Sequence, residues 1–280
     1  MSDHAKEQEI AGIAAREAGS IILAHYARGS IAVDTKTDQS PVTAADRDAN
    51  TAIIGRLRAA FADDAILSEE TPDDLTRLNA RRVWIVDPLD GTRDFVARTD
   101  EFCVHVALSI DGVPVVGAVF HPTAATLYSA AAGCGAFAED RHGKRTPLRV
   151  SAHVAADDLR IGVSRTNAAG SLKQLLAETG LGPRSVSMGA SVKLMALAQG
   201  TLDGVMNLSG SEQEWDTCAP DVIIREAGGL YTDTSGQVFR YNQPDVSHRK
   251  GSVASNGVCH RTLLTLMHPY IVDAIREPAR

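Results

Sequence analysis

The chain has 280 residues, 44% of them apolar, and a formal net charge of −7. That length supports one large domain or two lobes sharing a cleft. The acidic balance, with no basic run beyond the short Arg141 to Arg149 cluster, argues against a nucleic-acid groove. No apolar run approaches the ~18 residues of a membrane span, no basic-then-apolar leader opens the chain, and Cys103, Cys134, Cys218 and Cys259 lie far apart without CxxC spacing. A soluble cytoplasmic protein with reduced thiols is expected, with neither membrane nor nucleic-acid polymer among its partners.

Residues 4 to 28 place Ile10, Ile13, Ala14, Ala18, Ile21 and Ile22 on helical spacing before Gly29-Ser30 breaks the pattern. Lys36 to Pro41 reads as a polar loop, and Thr43 caps a helix running to about Phe61. Asp46 then lies in the first turn, where the helix dipole alone favours an acid. Ala65, Ile66 and Leu67 form a brief strand that ends in Ser68-Glu69-Glu70, and the polar Asp73 to Arg82 leads back as a loop or short helix.

The stretch the rest is built around follows: RVWIVDPLDGTRD, from Arg82 to Asp94. Val83 to Val86 are β-formers, and the strand is expected to stop at Asp87-Pro88 because proline cannot donate to a ladder. Asp87 then stands at the strand end, and Asp90 follows in a turn that Pro88 and Gly91 shape, so both carboxylates curl towards one point. Acids that close repel unless a cation lies between them, and oxygen-only ligands favour a hard divalent ion, Mg²⁺. Gly91-Thr92 opens a short helical turn whose N–H groups suit a phosphate. Glu69, ending the neighbouring strand, supplies a further carboxylate for a pair of ions.

From Phe102 to Ala138 the pattern is β, in runs around Val104 to Leu108, Val113 to Phe120 and Thr126 to Ala131, punctuated by Asp111-Gly112 and His121-Pro122. His105 and His121 read as satisfied or surface histidines, not metal ligands, and Gly133-Cys134-Gly135 lacks the third glycine of a dinucleotide loop. Arg141 to Asp158 turns polar and basic and marks a lobe boundary, giving an N-terminal α+β lobe over 1–150 and a C-terminal α/β lobe over 151–280. Strands and helices then alternate: strand Leu159 to Val163, helix Ala169 to Glu178, strand Arg184 to Ser187, helix Ser191 to Gln199 and strand Asp203 to Asn207. A helix from Asp216 to Ala227, strands near Tyr231 and Val253, and an amphipathic helix from Val258 to Ile275 complete the lobe. Asp216 stands at a helix start, where capping alone would explain it, and Lys193 lies one turn into a glycine-opened helix at Gly189.

PVTAAD at 41 to 46, LSEE at 67 to 70, WIVDPLDGT at 84 to 92 and EWDTCAPDVIIREAGG at 214 to 229, in this order and spacing, resemble the inositol monophosphatase superfamily over nearly the full chain. The resemblance implies an α/β (α+β) fold built as a layered αβαβα sandwich, and a Mg²⁺-dependent, Li⁺-sensitive phosphomonoesterase. It makes Glu69, Asp87, the Leu89 carbonyl, Asp90 and Asp216 the ligands of two ions, with a third, weaker ion compatible, and gives Thr92 and Asp46 the attacking water. Asp90, Gly91, Thr92, Ser164, Lys193 and Asp216 would contact the substrate, and relatives of this kind are often homodimers. GASVK at 189 to 193, WDTCAPDVI at 215 to 223, LRV at 148 to 150 and FRYNQPD at 239 to 245 look more like 3'(2'),5'-bisphosphate nucleotidases than inositol monophosphatases. The chain departs from that pattern at Asn167, where such nucleotidases carry a histidine.

A small phosphorylated metabolite is thus the expected substrate: first 3'-phosphoadenosine 5'-phosphate, then inositol 1-phosphate, then fructose 1,6-bisphosphate. Residues near Ser164 to Asn167, Lys193 and Ser209 to Glu214 would set the choice. An aspartyl-phosphate mechanism needs acids two apart on an extended segment, whereas Asp87 and Asp90 are three apart with Pro88 and Leu89 between. A binding protein without turnover is the reading from another class. It would be expected to lack Asp46, Thr92 or a ligand acid, and all are present.

Overall fold

The computed structural model describes residues 4–28, 33–35, 41–153, 158–165 and 170–276. Helix α1 (Ala5–Tyr26) comes first, then a two-stranded ribbon of β1 (Val33–Thr35) and β2 (Pro41–Thr43), then α2 (Ala44–Ala60). Pro41 therefore opens a strand, while 36–40 of the expected polar loop lie outside the described residues. The buried face of α1 is Ala11, Gly12, Ala14, Ala15, Ala18, Gly19 and Ile22, and the expected core residue Ile13 is exposed. Small side chains let the helix lie close to the sheet, where Phe120 and Leu127 fill the space that larger helix residues would have taken.

The first sheet has seven strands in the order β3-β4-β5-β6-β7-β8-β9. They are β3 (Ala65–Ser68), β4 (Arg82–Asp90), β5 (Cys103–Ile110), β6 (Val113–His121), β7 (Thr126–Ala131), β8 (Ala136–Glu139) and β9 (Arg145–Pro147). Between β4 and β5 lies α3 (Thr92–Ala97). β3 runs parallel to β4 and pairs Ser68 with Val86, so the two strands end side by side and Glu69 comes level with Asp87.

β4 does not stop at Pro88. It runs on to Asp90 through a bulge: Asp87 faces His105 and Asp90 faces Cys103, three residues on one strand against two on the other. A bulge tolerates a residue without an N–H, which is why proline fits here. The extra residue also changes which way Asp90 points. In a regular strand, residues three apart point to opposite faces; one inserted residue returns Asp90 to the face that carries Asp87.

The chain crosses to the second sheet between Pro147 and Ile161, and part of the basic stretch expected as a boundary serves as the edge strand β9. Five strands in the order β11-β10-β12-β14-β13 form this sheet: β10 (Ile161–Ser164), β11 (Ser185–Met188), β12 (Gly204–Asn207), β13 (Leu230–Asp233) and β14 (Ser252–Ser255). β10 is parallel to both neighbours, whereas β14 is antiparallel to β12 and β13.

Helices α5 (Val192–Ala198) and α6 (Glu214–Glu226) lie between the sheets, while α4 (Gly170–Glu178) and α7 (His260–Arg276) cover the outer face of the second. With α1 and α2 outside the first sheet, the layers are αβαβα, as the family resemblance implies. α6 starts at Glu214, two residues before the expected start, with Gln213 as its cap. Its Cys218, Val222 and Ile223 pack in one core with Ile85, Cys103 and Ala107 of the first sheet, and each fully buried branched side chain such as Ile223 contributes about 1.5–3 kcal/mol. That core fixes the start of α6 over the end of β4.

Candidate active site

The strand end, the helix start and the bulge bring three acids together. Asp87, Asp90 and Asp216 each place a carboxylate oxygen within 4.8 Å of the others. Asp87 Oδ1 accepts the Leu89 N–H at 3.0 Å, and Asp216 Oδ2 accepts the Gln213 N–H at 2.6 Å. Asp90 Oδ2 accepts the Ser191 N–H at 2.6 Å and lies 3.3 Å from His105 Nε2.

Burial, then the charges of Glu69, Asp90 and Asp216, push Asp87 well above the ordinary carboxylate range. Burial and then Asp90 do the same to Asp216 against the Gln213 N–H, which lowers it. For Asp90 burial also raises, but His105, Lys193 and a hydrogen bond from the Ser191 side chain outweigh it and hold the group below its usual value. Carboxylates that push one another up are short of positive charge, and an all-oxygen cluster fits a hard divalent cation.

Beside the cluster Thr92 Oγ1 donates to Asp46 Oδ1 at 3.0 Å and lies 3.2 Å from the Leu89 carbonyl. Asp46 is held in turn by the Thr43 N–H at 2.8 Å and the Thr43 hydroxyl at 2.6 Å, both on Oδ2. Its carboxyl is raised, by burial first, against the hydrogen bonds from Thr43 and Thr92. Gly91, at φ +90°, caps α3 in the left-handed region, and a Cβ there would lie 2.8 Å from the Ala190 side chain, so the turn needs glycine on both counts.

Asp46, Asp87, Leu89, Asp90, Gly91, Thr92 and Asp216 thus gather at one end of the first sheet, and the charge of Glu69 reaches Asp87. The Lys193 ammonium donates to the Ala190 carbonyl, and its charge reaches Asp90. Ser164 ends β10, half-buried, while Asn167 lies outside the described residues. Glu214, within the stretch expected to line the pocket, is wholly buried: it accepts the Asn242 and Gln243 N–H groups, both at 2.7 Å, and burial pushes it up to about 7.

His105 is the residue that sequence reasoning undervalued. Its ring is fully buried, with Nδ1 at 3.1 Å from the Trp215 carbonyl and Nε2 facing Asp90, so it spans two acid-bearing elements. No local pattern marks a contact across 110 residues, and the signal available was only a polar ring in the otherwise apolar run from Val104 to Leu108. Glu212 was named only within a range. It raises Asp216 and leaves a buried carboxylate oxygen without a hydrogen-bond partner.

A five-layered α/β fold with an acid cluster where a strand end meets a helix start is an architecture able to hold a divalent cation. The chain belongs to the inositol monophosphatase family, whose match spans residues 3–274. It is 36% identical over 230 residues to the 3'(2'),5'-bisphosphate nucleotidase CysQ of Escherichia coli K12, covering 81% of this chain and 90% of that protein. It is also 36% identical over 209 residues to a 3'-phosphoadenosine 5'-phosphate phosphatase of Mycobacterium tuberculosis, covering 72% of this chain and 73% of that protein. The crystal structure of CysQ from Bacteroides thetaiotaomicron superposes with a TM-score of 0.77 at 29% identity, covering 90% of this chain and 97% of the other. No helix among the described residues is long and apolar enough to cross a membrane.

Proposed function

We propose that the protein is a Mg²⁺-dependent 3'(2'),5'-bisphosphate nucleotidase that converts 3'-phosphoadenosine 5'-phosphate to AMP and phosphate in the cytoplasm. The observation that carries this reading is the convergence of Asp87, Asp90 and Asp216 beside the Thr92–Asp46 pair. The substrate class is supported by the two nucleotide-acting relatives, and the compartment by four free thiols.

Asp87, Asp90 and Asp216, with Glu69 and the Leu89 carbonyl, would hold two ions. Magnesium bound there supplies Lewis-acid charge to the phosphoryl oxygens and lowers the pKa of water. The chain's own part is positional. Asp46 takes the proton of the Thr92 hydroxyl in a hydrogen bond, which turns the Thr92 oxygen lone pairs outward to receive a proton of the attacking water. The Thr43 bonds hold Asp46 still while it does so. N–H groups of Gly91 and Thr92, at the start of α3, face no acceptor within their own helix and are available to phosphate oxygens. Water attacks phosphorus directly, its O–P bond forming as the ester P–O bond opposite breaks; the water gives up a proton to solvent and the leaving alkoxide takes one from solvent, with no phosphoenzyme.

The test is phosphate release from 3'-phosphoadenosine 5'-phosphate, inositol 1-phosphate and fructose 1,6-bisphosphate, with and without Mg²⁺ and Li⁺. Fastest release from the nucleotide, dependent on Mg²⁺ and suppressed by Li⁺, is expected. Preference for inositol 1-phosphate would overturn the substrate, and tight binding without release would overturn the activity.

A further inference from the structure

The carboxylate of Asp90 is held partly from across the molecule. The Ser191 N–H that binds it belongs to the loop Gly189–Ser191, which links the second sheet to α5. That loop is pressed onto the segment after Asp90 at two further points: Gly189 N–H donates to Glu101 Oε2 at 2.5 Å, and Ala190 packs over Gly91. A Cβ on Gly189 would fall 2.4 Å from Asp94 Oδ2, so the backbone there lies directly against a carboxylate.

Asp94 is buried and Glu101 partly buried, so the first-sheet side of this seam carries two carboxylates. One guanidinium answers both. Arg165, at the end of β10, donates from Nη1 to Asp94 Oδ1 at 3.1 Å, and its Nη2 lies 2.6 Å from Glu101 Oε2. The Arg165 N–H also bonds the Met188 carbonyl, the residue before the loop. A planar fork that reaches two carboxylates at once sets an angle as well as a distance, which a lysine ammonium does not do.

We propose that Arg165 is a positioning residue: by clamping Asp94 and Glu101 it sets the register of Gly189–Ser191 on the first sheet, and so aims the Ser191 N–H at Asp90. Arg165 touches no member of the acid cluster itself, and its effect passes through the loop. The inference rests on the reading of Asp90 as a metal ligand. It predicts that cutting the clamp weakens metal binding even though no ligand changes.

The experiment titrates Mn²⁺ into the metal-free protein by calorimetry for wild type, Arg165→Met, Arg165→Lys, Glu101→Gln and Asp90→Asn, with circular dichroism as the fold control. Arg165→Met should weaken Mn²⁺ about 10-fold, the scale of losing an outer partner of a metal ligand. Arg165→Lys should fall between it and wild type. Glu101→Gln, which retains an acceptor for Gly189, reads the same clamp if Arg165→Met does not fold, and it should weaken Mn²⁺ by a smaller factor. If Asp90→Asn loses Mn²⁺ while folded Arg165→Met, or Glu101→Gln in its place, binds as wild type does, the clamp is wrong and the metal site stands. If Asp90→Asn binds Mn²⁺ as wild type does, the reading of the site falls first. A raised KM for nucleotide with unchanged Mn²⁺ affinity would make Arg165 a substrate contact and overturn the positioning role.

Discussion

Helices α2 and α6 open alike. In each, an aspartate at the third position bonds back to the N–H of the capping residue, Asp46 to Thr43 at 2.8 Å and Asp216 to Gln213 at 2.6 Å. The difference lies in what the rest of each carboxylate meets. Asp46 finds two hydroxyls, Thr43 and Thr92, and Asp216 finds the carboxylates of Asp87 and Asp90. One capping device therefore serves two settings, one acid facing hydroxyls and one facing other acids. What decides is the element opposite: α3 with its hydroxyl facing α2, the bulge of β4 facing α6.

The sharpest way to break this comparison is to remove each charge while keeping the cap. Asp216→Asn retains an oxygen for the Gln213 N–H, yet turnover at saturating Mg²⁺ should fall on the order of 10³-fold, the upper end for one charge-stabilising group. Near wild-type turnover would reduce Asp216 to a cap. Asp46→Asn should cost on the order of 10²-fold, the low end for a group that assists proton transfer, with Mn²⁺ affinity unchanged in calorimetry. A parallel loss of Mn²⁺ affinity would erase the distinction between the two aspartates.

Thr92→Val tests the donor instead of the acceptor. Loss of that orienting hydrogen bond should slow turnover between about 10- and 100-fold, and Thr92→Ser should restore most of it. The same variant sharpens a pH prediction. Asp46 is raised above 3.8, so with Mg²⁺ saturating, the acid limb of kcat/KM should lie above that value, activity being lost as pH falls through it. The Thr92 bond lowers the Asp46 pKa, so its removal should move the limb upward. A limb that stays put in Thr92→Val would mean that another group titrates there. In stability the sign is reversed: the folded state binds this proton more tightly than the unfolded chain, so Asp46 costs stability as pH rises through its raised value.

How much of this was legible follows from how local each signal is. Thr43 with Asp46, the β-formers before Asp87 and the acid at Asp216 are patterns within four residues, and their elements fell within a few residues of their expected places. The bulge was read as a turn because a proline after a strand looks like a stop. Only pairing with Cys103 and His105 on another strand shows that the ladder resumes at Asp90. Of the α1 face Ala14, Ala18 and Ile22 were legible and Ile13 was misplaced, because alanine and glycine carry little hydropathic signal while they govern how near a helix lies to a sheet. His105 and Arg165 were unreadable for the same reason, as their partners lie 110 and 71 residues away.

The smallest effect separates the two caps themselves. The Thr43 hydroxyl accepts the Ala45 N–H at 3.1 Å while donating to Asp46, so Thr43→Ala removes a cap and a carboxylate donor together. A loss of about 1–2 kcal/mol in urea unfolding is expected, the upper part of the range for cap removal. At Gln213 the bond to Asp216 comes from the backbone and survives truncation, while the side-chain amide oxygen accepts the Ser247 hydroxyl at 3.1 Å. Gln213→Ala should therefore cost no more than about 0.5–1 kcal/mol, the net worth of one ordinary hydrogen bond. Equal losses in the two variants would show that the α6 cap depends on its side chain as α2 does. Asp216 would then owe its place to Gln213 and not to the core that seats α6 over the end of β4.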